Sequence, residues 1–450
     1  MLEIILPIGL LFIIALVKKT PFIGGDIRIA LLVAALTTAI ISGFGFIETI
    51  LAAVDGIDRL SWVIMLSIFG SLYAESQVKI GAMETTLDGF RAAFGNSPKG
   101  LVTAIFITLI FAGSLLGDAI AAATVIGFLI ITSLHELKLK PEQIGMIIVV
   151  GASIGSIMPP ITQGIFLSAA LVDTDPAPAM NVAYFTVGAV SLFAILESIR
   201  FVRGKFLPEE LQPNKTVFQI IKERWKSLIP LFVLIIIIIA NTVFEYNIFI
   251  EWIIFSWLVE FLQSIPIIQG ITFEVVLAII AAFIVSFTFP SVRKDTKNVF
   301  KNGFKNVNKT VQIQISAGIM VGVFYASEVL DKVADYTEQL GGSFVKIGGT
   351  ISLATVGMLT GSQTASQTIN TPILAPILEK LDVSTTNIII GASHITAGGE
   401  NLPPVGLTVF VVCGLIGGIL HQKVDPIKVM ILALPNSLLF ILIGLIAWYI

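Results

Sequence analysis

Two proline pairs, Pro159-Pro160 and Pro403-Pro404, stand inside long apolar stretches, and no ordinary helix continues through such a pair. Each removes two backbone donors and clashes with the preceding turn. The surrounding stretches belong in a bilayer. Leu228–Phe244 and Val429–Ile450 carry no charged residue, and uncharged runs of about 18 residues or more read as membrane spans. The whole chain agrees, being 56% hydrophobic and only 13% charged, with a mean hydropathy of +0.96; soluble domains carry about 25% charge. The expected class is an all-α polytopic membrane protein. A net charge of −3 gives nucleic acid no basic surface to bind. Cys413 is the single cysteine, which rules out a disulfide framework or a thiolate metal cluster. Leu2–Val17, followed by Lys18 and Lys19, reads as a first span and not as a cleavable signal.

The apolar runs predict spans at Leu2–Val17, Ile27–Ile47, Ser61–Tyr73, Leu101–Leu134 (folded back near Gly117), Ile144–Val172 (broken at Pro159-Pro160), Val182–Ile199, Leu228–Val243, Ile271–Phe289, Val311–Ser327, Ile347–Leu378 (folded back near Gly361), Asn387–Leu420 (broken near Pro403-Pro404) and Val429–Ile450. Lys and Arg collect on the cytoplasmic side of a membrane, so the basic loops Arg200–Lys226 and Arg293–Lys309 both belong there. An even number of spans then separates them, which holds if Asn247–Gln263 lies in the interface. Its Glu251 and Glu260 beside Trp252 and Trp257 make it amphipathic. Counting outward, Lys18, Lys19 and Arg28, then Lys79, Arg91 and Lys99, then Lys138 and Lys140 also fall inside. Asp173, Asp175, the acidic Glu328–Glu338 stretch and both termini fall outside.

The chain also repeats itself. Gly151-Ala152-Ser153 precedes the first proline pair and Phe166; Gly391-Ala392-Ser393 precedes the second and Phe410. Gly113-x3-Gly117 and Gly357-x3-Gly361 stand upstream. The turn His135–Glu142 counts as inside and the corresponding Glu379–Asp382 as outside. Two copies of opposite orientation form an inverted repeat, an architecture that puts substrate and ion sites on discontinuous helices at the repeat interface. The expected division is 1–75 for N-terminal scaffold helices, 76–199 for the transport elements of the first repeat, 200–310 for cytoplasmic basic loops with scaffold helices and the interfacial helix, and 311–450 for the transport elements of the second, inverted repeat.

Carbonyls freed at a break cannot face lipid, where each would cost several kcal/mol. Together with Ser, Thr and Asn oxygens they supply what Na⁺ needs once it sheds water, while a half-helix amino terminus suits a carboxylate. Around the breaks the sequence offers Ser153, Ser156, Pro159, Thr162 and Gln163 in the first copy, and Ser393, Thr396, Glu400, Asn401, Pro403 and Thr408 in the second. At the fold-backs it offers Gly117, Asp118 and Thr124, then the polar run Ser362, Thr364, Ser366, Asn370 and Thr371. Na⁺ is expected at Ser153, Ser156, Ser366, Ser393 and Asn401. Any one Ser or Thr in a membrane helix often bonds only its preceding turn; it is the recurrence of clusters at matching points that argues for a site. Asp118 and Glu400 are the ionisable residues placed deepest, where such groups are usually functional, the alternative for each being a helix cap. His394 reads equally as a packed imidazole or a proton relay. Gly151-Ala-Ser153-Ile-Gly155 matches a hydrolase elbow but lies in a helix-like apolar run. No zinc-protease motif, Cys/His cluster or phosphate loop is present, so no enzyme, no organic cofactor and no direct ATP use are expected.

At these residues the chain resembles the large membrane subunit of TRAP (tripartite ATP-independent periplasmic) transporters, within the wider ion-transporter superfamily. Thr371-Pro372-Ile-Leu-Ala-Pro376 and Pro403-Pro404-Val405-Gly406-Leu407 look like that family's second-repeat signature, and Gly117-Asp118 through Gly127 with the first proline pair look like its first. The resemblance implies an elevator-type secondary transporter in the inner (cytoplasmic) membrane that uses Na⁺ to import an organic acid. Its partners would be a periplasmic solute-binding protein and a separate small membrane subunit. Ile161 and Ala397–Asn401 depart from the family pattern. A stand-alone dicarboxylate/sodium symporter is the nearest alternative, and a membrane scaffold is the non-transporter alternative.

Overall fold

The computed structural model describes residues 2–17, 24–204, 206–244, 246–330, 332–333 and 342–450; Lys18, Lys19 and the end of the acidic Glu328–Glu338 stretch lie outside them. Among the described residues every regular element is a helix, as backbone polar groups in a bilayer demand. Five helices among the described residues are long and apolar enough to cross a membrane: Pro98–Leu116, Ala119–Glu136, Ala177–Ile199, Gly342–Thr360 and Pro426–Ala447.

The two fold-backs are helical hairpins. Pro98–Leu116 ends at Gly117, whose φ of +65° lies in the left-handed region that a Cβ disfavours. Asp118 then caps Ala119–Glu136, its carboxylate accepting from the Ala121 amide at 2.7 Å. In the second hairpin Gly342–Thr360 ends at Gly361, also at φ +65°, and Ser362 caps Gln363–Lys380 by accepting from the Ala365 amide at 3.3 Å. Each hairpin is followed by a broken helix, Pro141–Ile157 with Gln163–Val172 and Thr385–Gly399 with Leu407–Leu420, and both proline pairs carry a cis bond.

One register relates the copies. Ala119 and Gln363, Pro141 and Thr385, and Gln163 and Leu407 each start a helix and stand 244 residues apart (363 less 119). That register corrects the expected match of Gly151-Ala152-Ser153 with Gly391-Ala392-Ser393. Ser153 corresponds to Ala397, and Gly155 corresponds to Gly399. Close packing is the reason: a Cβ on Gly155 would stand 2.7 Å from the Cα of Gly113, and one on Gly357 would stand 3.0 Å from the Gly399 carbonyl carbon. The copies also exchange halves. Ala119–Glu136 of the first packs on Leu407–Leu420 of the second, and Gln363–Lys380 of the second on Gln163–Val172 of the first. This is the two-fold relation of inverted repeats.

The surrounding helices differ from expectation in three places. The span expected at Ile27–Ile47 stops at Ile41, and Gly43 (φ +75°) turns the chain into a separate helix, Phe46–Arg59. That helix lies against Thr296–Ala326 so closely that a Cβ on Gly56 would meet the Gly318 carbonyl oxygen at 2.0 Å. The expected basic loop Arg293–Lys309 is mostly the first half of Thr296–Ala326, a single helix of 31 residues, so the expected boundary at 310 falls inside a continuous element. The segment around Arg91 is helical too, over Ala82–Phe94, and Asp88 on it pairs with Arg224 at 2.8 Å. Asn247–Gln263 forms two short helices, Ile248–Glu251 and Ile253–Gln263, with Trp252 and Trp257 exposed.

Alanine at Gly155 is expected to destabilise the detergent-solubilised protein by about 1–3 kcal/mol, the range for overpacking, seen as an earlier thermal transition. Gly188→Ala, whose Cβ would meet nothing within 4 Å, should cause no such loss. A Gly155→Ala transition no earlier than that of Gly188→Ala would remove close packing as the reason for the glycine.

Candidate functional site

A cavity of about 400 Å³ lies where the hairpin tips, the breaks and two outer helices, Ser61–Ile80 and Thr296–Ala326, come together. Its wall includes the start of four helices: Asp118–Ala121, Gln163–Gly164, Ser362–Thr364 and Leu407–Thr408. A helix amino terminus presents unpaired N–H groups and the positive end of the macrodipole. Four of them in one wall make a region suited to negative charge.

The opposite polarity is present beside them. Glu400 follows the last residue of Thr385–Gly399, so its carboxylate stands at a helix carboxyl terminus, where a cation is favoured and an anion is not. It is 7% exposed. One oxygen accepts from the Gln363 amide at 3.2 Å; the other is buried with no hydrogen-bond partner in the protein. The neighbouring Asn401 donates from Nδ2 to Ser153 Oγ at 2.9 Å, which orients its amide and leaves Oδ1 buried and unpartnered. A buried polar oxygen without a partner is costly, and two such oxygens stand here on adjacent residues.

Gln363 joins both copies. Its Oε1 accepts from Ser156 Oγ at 3.4 Å and its Nε2 donates to the Ser393 carbonyl at 3.3 Å, while Gln367 Nε2 donates to the Gly164 carbonyl at 2.9 Å. The second hairpin is thereby bonded to both broken helices.

Of the expected site residues, Gly117, Asp118, Thr124, Ser156, Ser362, Thr364, Glu400 and Thr408 line the cavity. Ser153 and Asn401 bond each other just behind it. Thr162 caps the second half of the first broken helix, accepting from the Ile165 amide at 3.3 Å, and Pro159 and Pro403 begin the two cis pairs. The structure does not bring the others to the cavity wall. Ser366 donates to the Leu353 carbonyl at 2.6 Å and Asn370 accepts from Ser352 at 2.6 Å, both bonds tying one arm of the second hairpin to the other. Thr371 is buried within that hairpin. Thr396 bonds the preceding turn, at the Ala392 carbonyl. Ser393 sits 3.1 Å from His394 Nδ1, and His394 Nε2 lies 2.9 Å from Thr186 with Phe440 against the ring. His394 is a packed imidazole away from the cavity.

Sequence reading did not single out Ser67, Glu75, Asn306 or Lys309, which line the cavity from the outer helices. Ser67 accepts from both Gln163 and Gln314 at 2.9 Å. Ser67 is a buried polar residue in an apolar helix, whereas Asn306 and Lys309 stand in a basic half-helix, and neither pattern says which face meets the repeats.

Helical hairpins, paired broken helices and a central cavity of mixed polarity define a polytopic membrane transporter. The chain belongs to the tripartite ATP-independent periplasmic transporter family as its DctM component; that family's model matches residues 22–449. It is accordingly a component of a secondary transporter and not an enzyme, working with the family's other components on a solute. The fold is similar to that of the YdaH transporter of Alcanivorax borkumensis, at 14% identity with TM-score 0.63 over 89% of this chain and 87% of that one. It is similar also to that of MtrF of Neisseria gonorrhoeae, described with a class of antimetabolite efflux pumps, at 13% identity with TM-score 0.64 over 98% and 94%. No protein of curated function matches the chain in sequence.

Ser153→Ala and Asn401→Ala remove the same bond, so their combined loss of stability should fall short of the sum of the single losses. The expected coupling is about 0.5–1.5 kcal/mol, measured by thermal unfolding in detergent. Strict additivity would mean that the two side chains do not depend on each other.

Proposed function

We propose that the chain is the Na⁺-coupled carrier subunit that imports an organic acid across the cytoplasmic membrane. The carrying observation is the convergence of four helix amino termini on one cavity wall beside the unpartnered oxygens of Glu400 and Asn401. The amino termini favour the solute carboxylate. Glu400 and Asn401 favour the coupling ion, whose charge offsets that of a carboxylate standing at a helix carboxyl terminus. Cation and anion thus bind side by side, each lowering the electrostatic cost of the other.

The two hairpins and broken helices, with Ala177–Ile199 and Pro426–Ala447, act as the moving body of an elevator. The helices of 1–75 and 200–310, extended to the end of Thr296–Ala326, act as its scaffold. The cavity reaches the exposed Asn306 and Lys309, and the excess of Lys and Arg around that end supports a cytoplasmic side for it. The arrangement is inward-open. A periplasmic solute-binding protein would deliver the solute and a small membrane subunit would hold the scaffold; a carrier that works alone is the alternative.

In proteoliposomes holding this chain, the small subunit and a solute-loaded binding protein, uptake should depend on an inward Na⁺ gradient. A hydrogen bond to a charged group is worth about 1.5–3 kcal/mol, so Asn401→Ala and Glu400→Ala should raise the apparent Na⁺ constant about tenfold or more. Ser61→Ala and Ser191→Ala, both outside the breaks, should leave it unchanged. Uptake driven equally well by a pH gradient without Na⁺ would sink the sodium reading. Uptake by this chain without the binding protein would favour the stand-alone symporter.

A further inference from the structure

The two halves that the repeat makes equivalent do not have equivalent surroundings. In the first copy, Gln163–Val172 is clamped on the scaffold. Phe166 is fully buried against the contacting pair Trp62 and Phe273, with ring centres 5.8 Å from each. Gln163 donates to Ser67 at 2.9 Å, and Arg59 pairs with Asp173 at 2.7 Å just past the helix end. In the second copy the counterpart of Phe166, at the same offset (410 less 166), is Phe410. Phe410 is 43% exposed. Its helix, Leu407–Leu420, packs on Ala119–Glu136, Pro141–Ile157 and the last span, with no comparable packing on Thr296–Ala326.

The scaffold nevertheless holds a mirror of the place where Phe166 sits. Glu274–Ser286, which begins just after Phe273, packs along Ser61–Ile80, and Ile27–Ile41 packs in the same way along Thr296–Ala326. The repeat offset carries Trp62 to Asn306 (306 less 62) and Phe273 to Ile29 (273 less 29). Ile27 and the Asn306–Thr310 stretch form one wall of the cavity, and Leu407 and Thr408, less than a turn before Phe410, stand in another. The mirror place therefore borders the same cavity as Leu407 and Thr408, the residues that lead into Phe410.

We infer that Phe166 and Phe410 are alternate gate residues: when the transporter changes state, Phe166 leaves Trp62 and Phe273, and Phe410 crosses the cavity to pack on Asn306–Thr310 and the first turn of Ile27–Ile41. Exchanging one buried phenylalanine for another keeps the two states close in energy, so that ions and solute can shift the balance. The polar and ionic contacts are not duplicated. The offset carries Gln163 to Leu407, Asp173 to Gly417 and Ser67 to Val311. The Lys309 side thus closes without counterparts of those contacts.

The inference rests on the two-state carrier reading. Its test uses disulfide trapping in membrane vesicles, in a Cys413→Ala background with Ala74→Cys as a reporter in the cavity wall. Trp62→Cys with Phe166→Cys should cross-link under oxidant and leave the reporter open to a membrane-impermeant maleimide on the Lys309 side. Phe410→Cys paired with Asn306→Cys, Val307→Cys or Thr310→Cys should cross-link in at least one combination, since bridged cysteines need Cα atoms within about 7 Å. That cross-link should abolish reporter labelling on the Lys309 side, and reductant should restore it. The inference is overturned if no Phe410 pair cross-links while the Phe166 pair does, if neither gate can be trapped, or if the Phe410 cross-link leaves the reporter open. Labelling that comes from the opposite side of the membrane would instead reverse the proposed orientation and leave the exchange of gates standing.

Discussion

A helix that breaks inside a bilayer must have its loose backbone groups answered by protein, because lipid answers none of them. Here the answers cross from one element to another. The Gly164 carbonyl, at the start of one half-helix, accepts from Gln367 of the other copy, and the Leu407 amide donates to the carbonyl of Gly361 at the second hairpin tip. Neither break could persist without the hairpin beside it, and the second hairpin is held in turn by Ser156, Ser393 and Gly164 through two glutamines. The cavity is what remains at the meeting point of elements that need each other.

That origin explains the polarity of the cavity. Each fold-back and each break ends one helix and begins another, so every such point delivers an amino terminus and a carboxyl terminus to the same depth. Caps occupy part of this potential. Asp118, Ser362 and Thr162 each satisfy one amide, whereas Gly406 has no side chain with which to do so. Glu400 adds a carboxyl group at one of the carboxyl ends, where the macrodipole opposes negative charge. The combination suits ions of both signs, which is what the proposed cation-coupled anion carrier requires.

Glycine decides where the pieces may not separate. Gly113 against Gly155 and Gly357 against Gly399 bring hairpin and broken helix to backbone contact inside each copy, and Gly56 against Gly318 and Gly322 does the same within the outer helices. Between outer helices and repeats the contacts are of another kind: aromatic rings around Phe166, the Ser67–Gln163 bond and the Arg59–Asp173 pair. Surface ion pairs and single hydrogen bonds are worth about 1 kcal/mol or less each. The tight seams lie within the proposed bodies and the weaker ones between them, as the proposed elevator motion requires.

The membrane setting, the two fold-backs and the two breaks were legible in the amino-acid order, because Gly117, Gly361 and the proline pairs act through local backbone geometry that no distant contact can override. Glu400 and Asp118 were legible as candidates for a related reason: a charge in an apolar run is rare enough to mark itself. The repeat register was legible at the fold-back glycines and the proline pairs, which already stand 244 residues apart (403 less 159), but not between them. Gly151-Ala152-Ser153 and Gly391-Ala392-Ser393 share letters, but a helix is placed by what its face touches, and only packing shows that Gly155 and Gly399 hold the equivalent places against their hairpins. The helices Phe46–Arg59 and Ala82–Phe94 escaped notice because their charges break up the apolar signal, and the long Thr296–Ala326 because its first half is basic. Ser366, Asn370 and Thr396 read as site oxygens by residue type alone; tertiary structure spends them on the hairpin and on the preceding turn. Which oxygens remain unpartnered, Glu400 and Asn401 among them, is a property of three-dimensional neighbours, and a linear pattern contains no neighbours across the repeat.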